Sequence, residues 1–242
     1  MNLIYPDWPV PTRIKTLVTT RSEGHSQGVY QGFNLGDHVG DSWVDVAQNR
    51  TQLREILPSE PRWLKQVHGN TIAYADQLKE VIEADASVAW QVDTVCAVLT
   101  ADCLPVLFCA DDASVVGAAH AGWRGLAAGV LEQTIAVMAY PPAKVCAWLG
   151  PAIGPTAFEV GDEVRQIFVA DMPQAASAFR GASSGKWLAD IYLLARMRLE
   201  RIGVTRIYGG DLCTFRDAER FYSYRRDGVT GRMASLIWIA DV

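Results

Sequence analysis

The chain has 242 residues, of which half are hydrophobic and a fifth charged, an ordinary balance for one large globular domain with a sizeable core. Its net charge of −5 and the lack of any basic block argue against a nucleic-acid partner. The N-terminus MNLIYPDWPVPTR does not read as a signal peptide, and no stretch approaches the roughly 18 apolar residues of a membrane span, so a cytoplasmic protein is expected.

IKTLVTTR (14–21) reads as a β-branched strand ending in a polar loop. DSWVDVAQNRTQLREIL (41–57) reads as a helix capped by Asp41 or Ser42 and stopped by Pro58, with Val46, Leu53, Ile56 and Leu57 on its inner face. RWLKQV (62–67) and TIAYA (71–75) read as short strands flanking a hairpin or tight turn at His68-Gly69. TVCAVLT (94–100), PVLFCA (105–110) and VVGAAHA (115–121) are buried-strand patterns separated by turn-like ADCL and DDAS.

A helix is expected over 122–140, a strand over 144–150, helices over 158–171 and 186–203, and strands over 204–210 and 235–240. Gly203 ends the last helix. Strands and helices mix without strict alternation, and there is no repeat, linker or low-complexity tract. The expected architecture is α/β (α+β): a single domain spanning 1–242, with a mixed β-sheet and flanking helices.

There are five cysteines, an odd number, and no CxxC pair, which fits a reducing compartment better than a disulfide framework. Cys96, Cys109 and Cys146 lie inside apolar runs and read as core. Cys103 differs, because it ends a strand pattern. So do His68 and His120, two of only four histidines. These three are too far apart in sequence for a zinc finger, but they suit a site assembled where strand ends converge. A Cys-His-His set with an open position describes a catalytic zinc site. The same groups could serve as a thiolate nucleophile with a histidine base, or each could be a satisfied core or turn residue.

AGWRG (121–125) starts a helix with Gly122 and Gly125 around Arg124, a pattern seen at anion-binding helix ends and also at plain strand-to-helix turns. Arg21, Arg225 and Arg226 sit at loop positions where guanidinium groups suit phosphate. His25 and His38, in polar loops, read as surface residues.

TTRSEG (19–24), FNLGDHVGD (33–41), WLKQVHG (63–69), ADASV (84–88), LTADCLPV (99–106), AAHAGWRGLAAGV (118–130), WLGPAIGP (148–155), FEVG (158–161) and FYSYRRDGVTGRMAS (221–235) together resemble the YfiH-type laccase-domain family. Its members are also called multicopper polyphenol oxidase-like proteins or peptidoglycan editing factors. The resemblance runs nearly end to end and implies the fold of the catalytic domain of cytotoxic necrotizing factor toxins. It implies a metal site, usually zinc with copper as the alternative, on His68, Cys103 and His120. It also implies phosphorolysis of adenosine, inosine, guanosine and methylthioadenosine, with deamination of adenosine. Arg21 falls in the substrate or phosphate region by the same resemblance. The chain departs from many relatives in having Gly24-His25 for a glycine pair and no cysteine in PAIGP.

Three chemistries follow for the site. A zinc-dependent nucleoside enzyme would draw on Arg21, Arg124 and Arg225 for phosphate and on Asp102 for proton handling. A copper polyphenol oxidase needs a trinuclear cluster rich in imidazoles, and only His25 and His38 remain once the trio is used. A metal-free hydrolase acting on peptidoglycan precursors would use Cys103 as thiolate and His68 or His120 as base. The expected partners are a purine nucleoside and phosphate, with no nucleic acid and no membrane, and the expected state is a monomer.

Overall fold

The computed structural model describes residues 1–241. The chain begins with β1 (Leu3–Ile4), β2 (Ile14–Thr19) and helix α1 (Trp43–Arg54). β3 (Ile72–Tyr74), β4 (Ala86–Ala89), β5 (Cys96–Thr100), β6 (Leu104–Ala110) and β7 (Val116–Ala121) precede α2 (Trp123–Ala127) and α3 (Val130–Met138). The remainder runs β8 (Val145–Leu149), β9 (Glu159–Val160), α4 (Asp162–Asp171), β10 (Phe179–Gly181), β11 (Trp187–Ala189), α5 (Ile191–Arg201), β12 (Arg206–Gly209), α6 (Tyr224–Asp227) and β13 (Met233–Ile239).

The mixed sheet has six strands in the order β12-β8-β6-β7-β4-β3, parallel at its two ends and antiparallel in the middle. A second sheet, β1-β2-β13-β5, is antiparallel throughout, and β10-β11-β9 form a small third one.

Side-chain alternation stacks these layers. In β6, Val106, Phe108 and Ala110 face the helices α3, α4 and α5, whereas Leu107 and Cys109 face the second sheet. On that sheet Cys96, Val98, Ile237 and Ile239 meet them, and Ala97, Leu99, Leu236 and Trp238 turn outward under Leu53 of α1. Both large sheets are thus covered on two faces. Their strands read as continuous apolar runs for that reason.

Several elements differ from the sequence reading. Residues 62–67 form no strand: the Arg62 and Lys65 amides donate to the carbonyls of Val95 and Ile82 as isolated bridges. There is accordingly no hairpin at His68-Gly69, and β3 pairs in parallel with β4. β4 itself was not anticipated, because ADASVA is built of small residues. The helix expected over 122–140 breaks at Gly129, whose φ of +88° ends α2 and restarts the chain as α3. The helix expected over 158–171 begins only after the short strand β9. Likewise 186–203 opens as β11, and Asp190 caps α5 by accepting the Leu193 N–H at 2.9 Å. Ile56, beyond the end of α1, is exposed rather than core. Cys96, Cys109 and Cys146 are buried and free, as expected. No helix among the described residues is long and apolar enough to cross a membrane.

Candidate metal centre and its cavity

Antiparallel pairing of β6 with β7 sets Leu104 opposite Ala121 and Pro105 opposite His120, so Cys103 and Gly122 lie together at one end of the mixed sheet. His68 arrives from the loop ahead of β3. It adopts φ +61°, a left-handed conformation uncommon outside glycine.

Asp85 supplies the hold. Its buried carboxylate accepts the N–H groups of Val67, His68 and Gly69 at 3.2, 2.9 and 2.6 Å. The same carboxylate accepts His120 Nδ1–H at 2.8 Å, while the Asp85 carbonyl accepts the His120 backbone N–H at 2.7 Å. One aspartate therefore shapes the His68 loop and orients His120.

The ligand atoms of His68, Cys103 and His120 all lie within 4.8 Å of one another, with His68 Nε2 3.8 Å from Cys103 Sγ. Tetrahedral zinc with two nitrogens and a sulfur needs N···S separations of about 3.5 Å. With Nδ1 of His120 engaged by Asp85, its Nε2 is left for a metal, the carboxylate–histidine arrangement common at zinc sites. The surroundings fit a packed cluster as well: a Cβ at Gly122 would sit 3.0 Å from both Cys103 Sγ and His68 Cδ2. A Cβ at Gly125 would come to 2.7 Å from the Gly69 carbonyl. The two glycines thus let α2 close over the ligands. What packs against Gly122 is Cys103 and His68, and what packs against Gly125 is the backbone of His68, Gly69 and His120.

Charge is organised around the sulfur. Burial pushes the Cys103 thiol up, but the His120 imidazolium and hydrogen bonds from His120 and His68 outweigh it and bring the pKa to about 6. Burial opposes charge on His120, yet the Cys103 thiolate and Asp85 raise it to about 9. For Asp85, burial raises the pKa and the His120 hydrogen bond with the loop amides overcomes it, leaving the carboxyl below its usual range.

The trio forms the floor of a cavity of about 350 Å³, a size at the lower end for small-ligand sites. Its walls include Asp102, Phe158, Tyr224 and Arg225. Asp102, at φ +93°, has both oxygens occupied: Oδ1 accepts the Thr214 hydroxyl at 2.6 Å and Oδ2 the Arg225 N–H at 2.7 Å. It thereby ties the Cys103 turn to α6.

The other arginines go elsewhere. Arg21 stacks 4.7 Å above the Tyr222 ring and lines a separate groove with Ser22 and Glu219. Arg124 lies 4.3 Å over its neighbour Trp123 and does not reach the cavity wall. Arg226 donates to the carbonyls of Thr214, Phe215 and Phe221, holding the segment before α6. His25 lies in a groove against α1, and His38, though exposed, edges the cavity.

Sequence reasoning missed Asp85, Arg232 and Gln66. Gln66 clips β5 by donating Nε2–H to the Leu99 carbonyl at 2.8 Å and accepting its N–H at 2.7 Å. Nothing local in the sequence marks Asp85, which sits between two alanines and resembles a turn residue.

Residues 15–240 match the family model described as multi-copper polyphenol oxidoreductase laccase. The chain belongs to this family. Among curated relatives of this laccase-like family, a Pseudomonas aeruginosa protein named purine nucleoside phosphorylase is 54% identical over 98% of each chain. The Escherichia coli K12 purine nucleoside phosphorylase YfiH is 51% identical over 98% of this chain and 99% of its own. A crystal structure of a Neisseria meningitidis protein superposes with TM-score 0.96 at 52% identity, covering all of both chains. YlmD from Geobacillus stearothermophilus gives TM-score 0.86 at 32% identity over 95% of this chain and 93% of that one. The laccase-like family therefore carries two chemical names, an oxidase in its model and a phosphorylase in these relatives.

Proposed function

We propose that the chain is a zinc-dependent purine nucleoside phosphorylase. It would convert adenosine, inosine, guanosine or methylthioadenosine and phosphate to the free base and (methylthio)ribose 1-phosphate, with adenosine deamination at the same site. The observation carrying this reading is the His68–Cys103–His120 cluster on the floor of a cavity walled by aromatic and cationic side chains. The relatives' printed names supply the reaction class.

Phe158 and Tyr224 offer flat faces to a purine, and Arg225 adds positive charge beside Phe158. Phosphorolysis forms a bond from a phosphate oxygen to the anomeric carbon. The C1′–N9 bond breaks with its electron pair on the purine, which gains the proton that hydrogen phosphate loses. Asp102 fits a positioning role better than the proton handling read from sequence, because both its oxygens already accept hydrogen bonds. When bound by His68, Cys103 and His120, zinc would supply Lewis acidity at the cavity floor.

The donor count favours zinc over an oxidase centre. His25 sits in a different groove and His38 alone edges the cavity, so the imidazoles of a trinuclear copper cluster are lacking. A metal-free hydrolase acting on peptidoglycan precursors is the second reading, favoured by the lowered Cys103 pKa beside two imidazoles. Mixing zinc-loaded protein with inosine and phosphate and assaying ribose 1-phosphate tests the first reading. Absence of product from metal-replete protein at high enzyme concentration sinks it.

A further inference from the structure

Arg225 and Arg232 both line the cavity, but they are held differently. Arg225 leans over Phe158, 5.7 Å from the ring centroid, and its Nη1 reaches the Ala157 carbonyl only at 3.5 Å. Arg232 is anchored at its backbone, where its N–H donates to Asn34 Oδ1 at 2.8 Å and its carbonyl accepts the Leu35 N–H at 3.2 Å. Its stem runs against Gly36, where a Cβ would come to 2.8 Å from Arg232 Cγ. Glycine at 36 leaves that stem its path.

The head group is half satisfied. Nη1 donates to the carbonyls of Thr230 and Gly231 at 2.9 and 3.0 Å. Among the described residues the Nε–Nη2 edge has no hydrogen-bond partner, and no carboxylate forms an ion pair with this guanidinium. Two anionic groups lie close enough for their charge to act on it: Cys103, whose thiolate belongs to the ligand cluster, and Asp102, which is committed to Thr214 and Arg225. A cation partly withdrawn from water with no anion hydrogen-bonded to it is costly unless one meets it. The Nε–Nη2 edge is the face of a guanidinium that takes two oxygens of a tetrahedral anion side by side.

We propose that Arg232 is the phosphate anchor of this cavity. It would hold the co-substrate by its Nε–Nη2 edge, on the wall where the Cys103 turn and α6 meet, in place of Arg21 and Arg124. This assignment rests on the phosphorolysis reading. The bond changes are those already given, with the anchored phosphate donating the oxygen to C1′ and its proton passing to the purine. The guanidinium stays protonated throughout.

The test compares zinc-loaded wild type, R232Q and R232K. Two quantities are measured: the KM for phosphate and for inosine, and the rise in Tm on adding phosphate without nucleoside. We expect R232Q to raise the phosphate KM by at least about tenfold while the inosine KM stays within about twofold, as loss of a bidentate charge-assisted contact requires. R232Q loses the phosphate-induced Tm rise, and R232K, which keeps the charge without the fork, falls between. An unchanged phosphate KM and Tm rise in folded R232Q or R232K overturns the assignment while leaving phosphorolysis intact. If R232Q does not fold, R232K decides alone. An Arg232-dependent Tm rise in protein that never forms ribose 1-phosphate sinks the reaction and leaves the anchor standing. Inosine 5′-monophosphate, run in parallel, separates free phosphate from a nucleotide's own phosphate group. An Arg232-dependent rise with the nucleotide alone overturns the proposal.

Discussion

The carboxylate of Asp85 lies 2.8 Å from His120 Nδ1 and simultaneously receives the three successive amides of Val67, His68 and Gly69. Two metal-ligand candidates from distant parts of the chain are thus positioned by one side chain. Asp85→Asn keeps the volume but cannot accept from all these donors at once. Zinc affinity should fall about 10- to 100-fold, as loss of such supporting hydrogen bonds does elsewhere. Competition against a chelator measures it, and unchanged affinity would separate Asp85 from the metal site.

Chelation discriminates the two readings of Cys103. Exhaustive metal removal should abolish phosphorolysis, and zinc added back should restore it, if His68, Cys103 and His120 act as ligands. Activity that persists in protein shown metal-free by elemental analysis favours the thiolate nucleophile.

Metal-free protein should show its charge pair in its pH behaviour. The depressed Cys103 contributes stability that is present above its ordinary 9.0 and lost as pH falls through about 6. The raised His120 contributes stability that is present below its ordinary 6.5 and lost as pH rises through about 9. Between 6.5 and 9 folded and unfolded chains hold the same number of protons on the pair, so these two groups leave stability flat. Thiolate reactivity does move. Alkylation of Cys103 by iodoacetamide, followed by peptide mapping to exclude Cys213, should have a midpoint near 6. A midpoint in the ordinary thiol range refutes the pairing.

Gly122→Ala places a methyl group 3.0 Å from both Cys103 Sγ and His68 Cδ2, closer than side chains normally approach. The ligands must spread, so zinc affinity should drop about tenfold or more, while the strands beneath retain their packing. Zinc titration and circular dichroism together check this, and full affinity in the variant would show that the cluster has slack.

The metal-ligand candidates were legible because histidine and cysteine at the ends of apolar strand patterns stand out against a chain with four histidines. Asp85 was not, since an aspartate between Ala84 and Ala86 looks like a turn until its oxygens are seen receiving backbone donors. Arg21, Arg124 and Arg232 all lie in the motif segments of the sequence, and nothing local tells which of them faces the site. Only packing separates the two that stack on Tyr222 and Trp123 from the one left facing the cavity.

Composition and periodicity by themselves determined the buried strands and the α/β class, because apolar alternation and runs report local burial whatever the topology. They also determined which side chains could bind a soft metal. Tertiary structure alone decided the division into separate sheets, the parallel pairing of β3 with β4, and the meeting of His68, Cys103 and His120. Those outcomes depend on contacts between residues far apart along the chain, and Asp85, which joins the His68 loop to His120, acts on that loop through backbone amides that carry no residue identity.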